Sequence, residues 1–124
     1  MYIASSSTFT KNKESWGRAG VIYIDNGKLY VGKDGSNVKF SENIANDGAA
    51  IYADKNSYVD IEYASFSNSK SVNNKAHEIY IAGTGIVASS SFKYSSSNAI
   101  IGWSKFVIFQ YNPSAVLNLQ LLPS

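Results

Sequence analysis

The sequence predicts an all-β chain coiled into a right-handed parallel β-helix, a solenoid of about four three-strand coils. Three observations predict it. Apolar residues come in short runs punctuated by Gly, Asn, Asp and Ser, with no helical stripe. A Phe in a Ser/Thr/Lys setting recurs at Phe9, Phe40, Phe66 and Phe92, at spacings of 31, 26 and 26 residues. An Ile-Tyr pair follows three of these, at Ile22-Tyr23, Ile51-Tyr52 and Ile79-Tyr80.

The third run of each unit closes the argument for a coil. Leu29-Tyr30-Val31, Tyr58-Val59-Asp60-Ile61, Ile86-Val87 and Phe106-Val107-Ile108-Phe109 follow in turn. A flat antiparallel sandwich gives no reason for like side chains to recur once every three strands. In a coiled chain, equivalent positions stack at the strand spacing of about 4.8 Å. The four Phe then form one interior ladder and Ile22, Ile51 and Ile79 another, with Ile100-Ile101 in the fourth slot. Tyr23, Tyr52 and Tyr80, one residue along, point outward as an aromatic row. Alternation puts Val59, Ile61 and Tyr63 on one face of their strand and Asp60 and Glu62 on the other.

The run Phe40-Ser41-Glu42-Asn43-Ile44-Ala45-Asn46-Asp47-Gly48-Ala49-Ala50-Ile51-Tyr52 resembles the F-x-x-N-x-A-x-x-G-G-A-I-Y repeat of polymorphic outer-membrane proteins and archaeal adhesin-like proteins. Val59-Asp60-Ile61-Glu62-Tyr63-Ala64-Ser65-Phe66 is similar to the V-x-I-x-x-S-x-F part of that repeat. Ala49 stands where the second Gly is usual. The resemblance covers roughly residues 5 to 109. It implies a parallel β-helix and an extracellular or cell-surface setting, and it is weak for activity.

The bulk composition narrows the functions. One domain spans residues 1–124, and a 44% hydrophobic content excludes compositional disorder. A net charge of +2, with basic residues scattered singly, gives no footprint for nucleic acid. There is no cysteine, so thiolate metal sites, disulfides and cysteine nucleophiles are excluded. No window is long and apolar enough for a membrane span.

Candidate chemistry is sparse. Asp25 and Asp54 follow the Ile-Tyr pairs at equivalent places and read as turn-forming residues at strand ends. Asp60 and Glu62 read as a solvated face. His77, the only histidine, reads as solvated in the loop Asn73-Asn74-Lys75-Ala76-His77-Glu78. Gly83-Thr84-Gly85 reads as a turn, and Asn12, Asn43 and Asn46 as structural amide stacks. No catalytic residue, metal ligand or cofactor is expected. The candidate binding face is Tyr23, Tyr52 and Tyr80 with Trp103 near it, since flat aromatics on a rigid sheet suit sugar rings or proteins.

After Asn112-Pro113 the tail turns apolar. Leu117, Leu119 and Leu121 fall on one face of a strand, so residues 112–124 read as a C-terminal cap or an assembly strand. The expected function is a non-enzymatic adhesin-like binding or structural module. Its partners would be itself, end to end into a filament, or a surface protein or glycan. The alternative is a carbohydrate-active β-helix enzyme, a polysaccharide lyase or hydrolase.

Overall fold

The computed structural model describes residues 1–3, 7–14, 19–33, 35, 37–72, 77–88, 90–93, 101–103, 107–110 and 119–121. In chain order the strands are β1 (Tyr2–Ile3), β2 (Thr8–Thr10), β3 (Ile22–Ile24), β4 (Lys28–Val31), β5 (Val38–Ser41), β6 (Ile44–Ala45), β7 (Ile51–Ala53) and β8 (Tyr58–Glu62). They continue as β9 (Ala64–Ser67), β10 (Lys70–Ser71), β11 (Ile79–Ile81), β12 (Thr84–Ala88), β13 (Ser91–Lys93), β14 (Ile101–Trp103), β15 (Val107–Gln110) and β16 (Leu119–Leu121).

All the pairings between these strands are parallel, and the sheets stack as a β-helix. One sheet runs β1-β4-β8-β12-β15, a second β2-β5-β9-β13 and a third β3-β7-β11-β14-β16. We call these the valine, phenylalanine and tyrosine faces. Each coil visits phenylalanine, tyrosine and valine faces in turn. A short fourth ladder, β6-β10, widens the corner between the first two, and Lys13 joins it through a bridge to Ile44. From Phe9 to Phe92 the chain climbs about three turns, one fewer than the expected coil count because four rungs enclose three rises.

The register follows the sequence repeat. Phe9 pairs with Phe40, Phe40 with Phe66, and Phe66 with Phe92. The first three rings stack with centroids 5.2 and 5.0 Å apart. Ile22, Ile51, Ile79 and Ile101 align on the tyrosine face. Leu29, Val59 and Gly85 align on the valine face, as do Val31, Ile61 and Val87. Most of these inward side chains are fully buried and form one rod-like core. No coil could bury its apolar face alone, so neighbouring coils hold one another.

The corners explain where alternation fails. Lys11, Glu42 and Asn68 follow the paired residues Thr10, Ser41 and Ser67, and all three have left-handed φ of 56°, 55° and 53°. The same backbone twist, repeated at one rung position, bends each coil identically. Tyr63, expected to share the inward face of Val59 and Ile61, has a φ of 51° and is exposed. The chain turns there in a single residue between β8 and β9, and the turn swings Tyr63 outward. Gly83-Thr84-Gly85, expected as a turn, instead starts β12 at Thr84. Gly85 is buried, and a Cβ there would lie 2.3 Å from the Val59 carbonyl oxygen, so the close approach of β12 to β8 requires glycine.

Candidate functional site

The tyrosine row forms, but in a form that alters its use. Tyr23 and Tyr52 stack with centroids 5.3 Å apart and planes within 6°, and Tyr52 and Tyr80 at 4.9 Å and 17°. The flat faces are turned on one another. Tyr52 is only 7% exposed, whereas Tyr23, in the edge strand β3, is 48% exposed. Tyr23 is therefore the ring of the row most open to a ligand. Trp103 lies elsewhere. Gly102 occupies the rung position beyond Tyr80, and Trp103 aligns with the inward Ile81. It packs partly buried against the core. A one-residue offset along a strand moves a side chain to the opposite face.

Of the expected tail strand, Leu119 and Leu121 lie in β16, whose backbone aligns with Ile101 and Trp103 of β14 as the outermost rung of that sheet. Leu117 lies outside the described residues.

The carboxylates are engaged locally. Asp54 accepts from the Asn26 N–H at 3.2 Å, the Asn56 N–H at 3.0 Å and the Ser57 hydroxyl at 2.7 Å. It also hydrogen bonds to Asp25 on the preceding coil, which holds Asp54 well below the usual carboxylate range and raises Asp25. The two acids share a hydrogen bond at a surface corner, whose shape Asp54 maintains. Asp60 and Glu62 do point outward, and Lys33 stands between them. Its Nζ is 3.1 Å from Asp60 Oδ2 and 2.9 Å from Glu62 Oε1. Hydrogen bonds to Glu62 and then Asp60 raise the Lys33 pKa.

His77 and Glu78 depart most from expectation. His77 is half-buried rather than solvated, and its Nδ1 accepts from the Ser71 N–H at 3.0 Å. Burial, then the nearby Lys70, lowers its pKa. Glu78 is 0% exposed. Its Oε2 accepts from the Ser69 N–H at 3.1 Å, and among the described residues its Oε1 has no hydrogen-bond partner. Burial pushes this carboxyl up to about 8, against two opposing contacts with Ser69. The sequence concealed this, because a glutamate in a polar run carries no sign of burial. The neighbouring amide stack holds for Asn12 and Asn43: Asn43 Oδ1 accepts from the Asn12 N–H at 3.0 Å and from its side-chain amide at 3.1 Å. Asn46 stands apart from that stack, and its backbone carbonyl accepts from the Ser71 hydroxyl at 2.7 Å.

A surface not singled out in the sequence lies on the outside of the phenylalanine face. Thr10, Ser41 and Ser67 align in one column and Thr8, Lys39 and Ser65 in another. Thr8, Lys39, Ser41, Ser65 and Ser67, with Asn37 at the corner, line a shallow groove of about 400 Å³. Thr10 accepts from the Ser41 hydroxyl at 2.9 Å, and Asn37 Oδ1 from the Ser65 hydroxyl at 2.9 Å. The signal for it was present: the residues on either side of each Phe are hydroxylated or basic in every unit.

Among the described residues, no three His, Asp or Glu side chains gather to hold a metal ion, and no helix is long and apolar enough to cross a membrane. No family model, curated protein or solved structure matches this chain.

Proposed function

We propose that the chain is a non-enzymatic binding module of an extracellular surface protein, adhesin-like in architecture, that lays an extended glycan along its phenylalanine face. The observation that carries this reading is the hydroxyl groove. Thr10, Ser41 and Ser67 recur once per coil, at the strand spacing of about 4.8 Å. A ligand that itself repeats can meet equivalent groups on successive coils. Short hydroxyls both donate and accept, as sugar hydroxyls do. The rigid coil fixes them before binding, which limits the ordering cost of association. The open ring of Tyr23 offers a second contact on another face.

The acids favour binding over turnover. Glycoside hydrolysis uses two carboxyl groups about 5–9.5 Å apart with room for a sugar oxygen or water between them. Asp25 and Asp54 are within hydrogen-bond distance of each other, too close for that work. Asp60 and Glu62 have the Lys33 ammonium in the space a substrate oxygen needs. End-to-end contact between copies belongs to the same reading, since edge strands such as β16 carry unpaired backbone groups.

Co-sedimentation with insoluble cellulose, chitin and mannan tests the proposal. Binding that weakens at least tenfold in Lys39→Ala/Ser65→Ala and persists in Tyr23→Ala supports the groove. Loss in Tyr23→Ala alone moves the site to the tyrosine face. Release of soluble sugar by the wild type, abolished in Asp60→Asn or Asp54→Asn, would overturn the non-enzymatic reading.

A further inference from the structure

The corner between the phenylalanine and tyrosine faces carries a chain of backbone donors, each accepted by a side chain from further along. Asn12 N–H donates to Asn43 Oδ1 at 3.0 Å. Asn43 N–H donates to Ser69 Oγ at 3.0 Å. Ser69 N–H donates to Glu78 Oε2 at 3.1 Å. Asn12, Asn43 and Ser69 occupy the same rung position, two residues beyond the paired Thr10, Ser41 and Ser67. Glu78 does not. It comes from the far end of the insertion that follows β10, and its own carbonyl accepts the Ala50 and Ile51 N–H groups of the preceding coil at 2.9 and 3.0 Å. Glu78 thus ties Ser69, just before β10, to the start of β11 and to the coil before it.

A carboxyl in that position has unequal protonation states. The neutral form carries no charge, so a dry surrounding costs it no more than an unpaired polar group. The ionised form would carry a charge with one oxygen, Oε1, unpartnered and fully enclosed. Burying an unpaired charge is costly, and the group avoids it by keeping its proton or by moving to water. Among the described residues, the titratable groups around it do not offset the charge. Lys70 on the same coil and Glu42 on the preceding one are exposed, and Asp47 is half-buried. His77, next in the chain, turns its Nδ1 to Ser71. Burial is the cause of the upward shift of Glu78.

We infer that Glu78 is a proton-dependent latch: protonated, it holds Ser69 at the corner between β10 and β11, and ionised, it leaves the interior and releases the Ser69 N–H while the coils on either side stay folded. The device is independent of the proposed glycan groove, which lies outside the phenylalanine face.

Carboxyl ¹³C NMR of the wild type titrates Glu78 directly, and amide exchange at Ser69 reads the opening. The expected midpoint is near 8. After division by the intrinsic exchange rate, opening at Ser69 should rise by up to about tenfold per pH unit between 4.5 and 8, while the Phe66 amide shows no such rise. In Glu78→Gln, which keeps an acceptor for Ser69 without a titrating proton, the rise should vanish. A Glu78 midpoint near 4.5, or a Ser69 opening that depends on pH equally in Glu78→Gln, would overturn the latch. So would equal opening at Ser69 and Phe66, which would mean global unfolding.

Discussion

Glu78 accepts the Ser69 backbone N–H where the two preceding rungs use an aligned side chain, Asn43 for Asn12 and Ser69 for Asn43. The ladder is continued by a residue nine positions further on, and that substitution puts an ionisable group where the others are neutral. Stability then acquires a pH dependence. The folded chain keeps the Glu78 proton to about pH 8, whereas the unfolded chain releases it near 4.5. Between those values the folded state binds more protons, so stability falls as pH rises through the window and levels off above it. The contribution present below pH 4.5 amounts to about a few kcal/mol. Urea midpoints at pH 5 and pH 8.5 check this. The wild type is expected to lose stability at the higher pH, and Glu78→Gln to lose much less.

Asn43 holds the ladder at its centre. It accepts twice from Asn12, donates through its side-chain amide to the Phe9 carbonyl at 3.3 Å, and is fully buried. Asn43→Ala leaves the Phe9 carbonyl and the Asn12 donors without this partner and empties a fully buried site, and is expected to cost about 1–3 kcal/mol. Asn12→Ala removes one side-chain donor at an exposed position and is expected to cost under about 1 kcal/mol. Chemical denaturation of both variants gives the comparison, and equal losses would contradict the ladder.

These two residues also mark the limit of what the sequence discloses. The interior Phe and Ile ladders were legible because like residues recur and only stacking explains recurrence once per three strands. The Asn12–Asn43 pair was legible for the same reason. Its continuation through Ser69 and Glu78 was not, because the chemistry changes at each rung while the role stays constant. Trp103 was misplaced because Gly102 takes the tyrosine position, and a single residue decides the face. The hydroxyl groove was hidden in plain composition: Ser and Thr beside Phe read as ordinary outward strand residues until the register aligns them into columns.

Phe66 lies in the middle of its stack, 5.0 Å from Phe40 and 1% exposed. Phe66→Ala is expected to cost roughly 3–5 kcal/mol. Phe9, at the edge strand and half-buried, has less to lose, and Phe9→Ala is expected to cost clearly less. Thermal melts of the two variants rank them.

Gly32 and Gly35 both have left-handed φ, of 67° and 85°. They differ in surroundings. A Cβ on Gly32 would lie 1.9 Å from the Glu62 carbonyl oxygen, and one on Gly35 would meet nothing within 4 Å. Gly35→Ala therefore meets backbone strain alone, about 1–2 kcal/mol. Gly32→Ala must also push β4 from β8, and its expected cost is several-fold higher. Comparable stability of the two variants would contradict the packing at that corner.

The central claim is that equivalent residues of successive coils lie directly beside one another, and engineered cross-links test it most directly. The chain has no cysteine to interfere. Thr10 and Ser41 are aligned and outward, with their hydroxyl oxygens 2.9 Å apart. Aligned positions on neighbouring parallel strands sit about 4.8 Å apart, inside the Cα separation that a disulfide spans. Thr10→Cys with Ser41→Cys is expected to close rapidly under mild oxidation and to raise the melting temperature. Thr10→Cys with Lys39→Cys, displaced by two residues to about 8 Å, is expected to stay reduced. Faster closure of the displaced pair, or closure of neither, would contradict the register on which the coil, the ladder and the groove all depend.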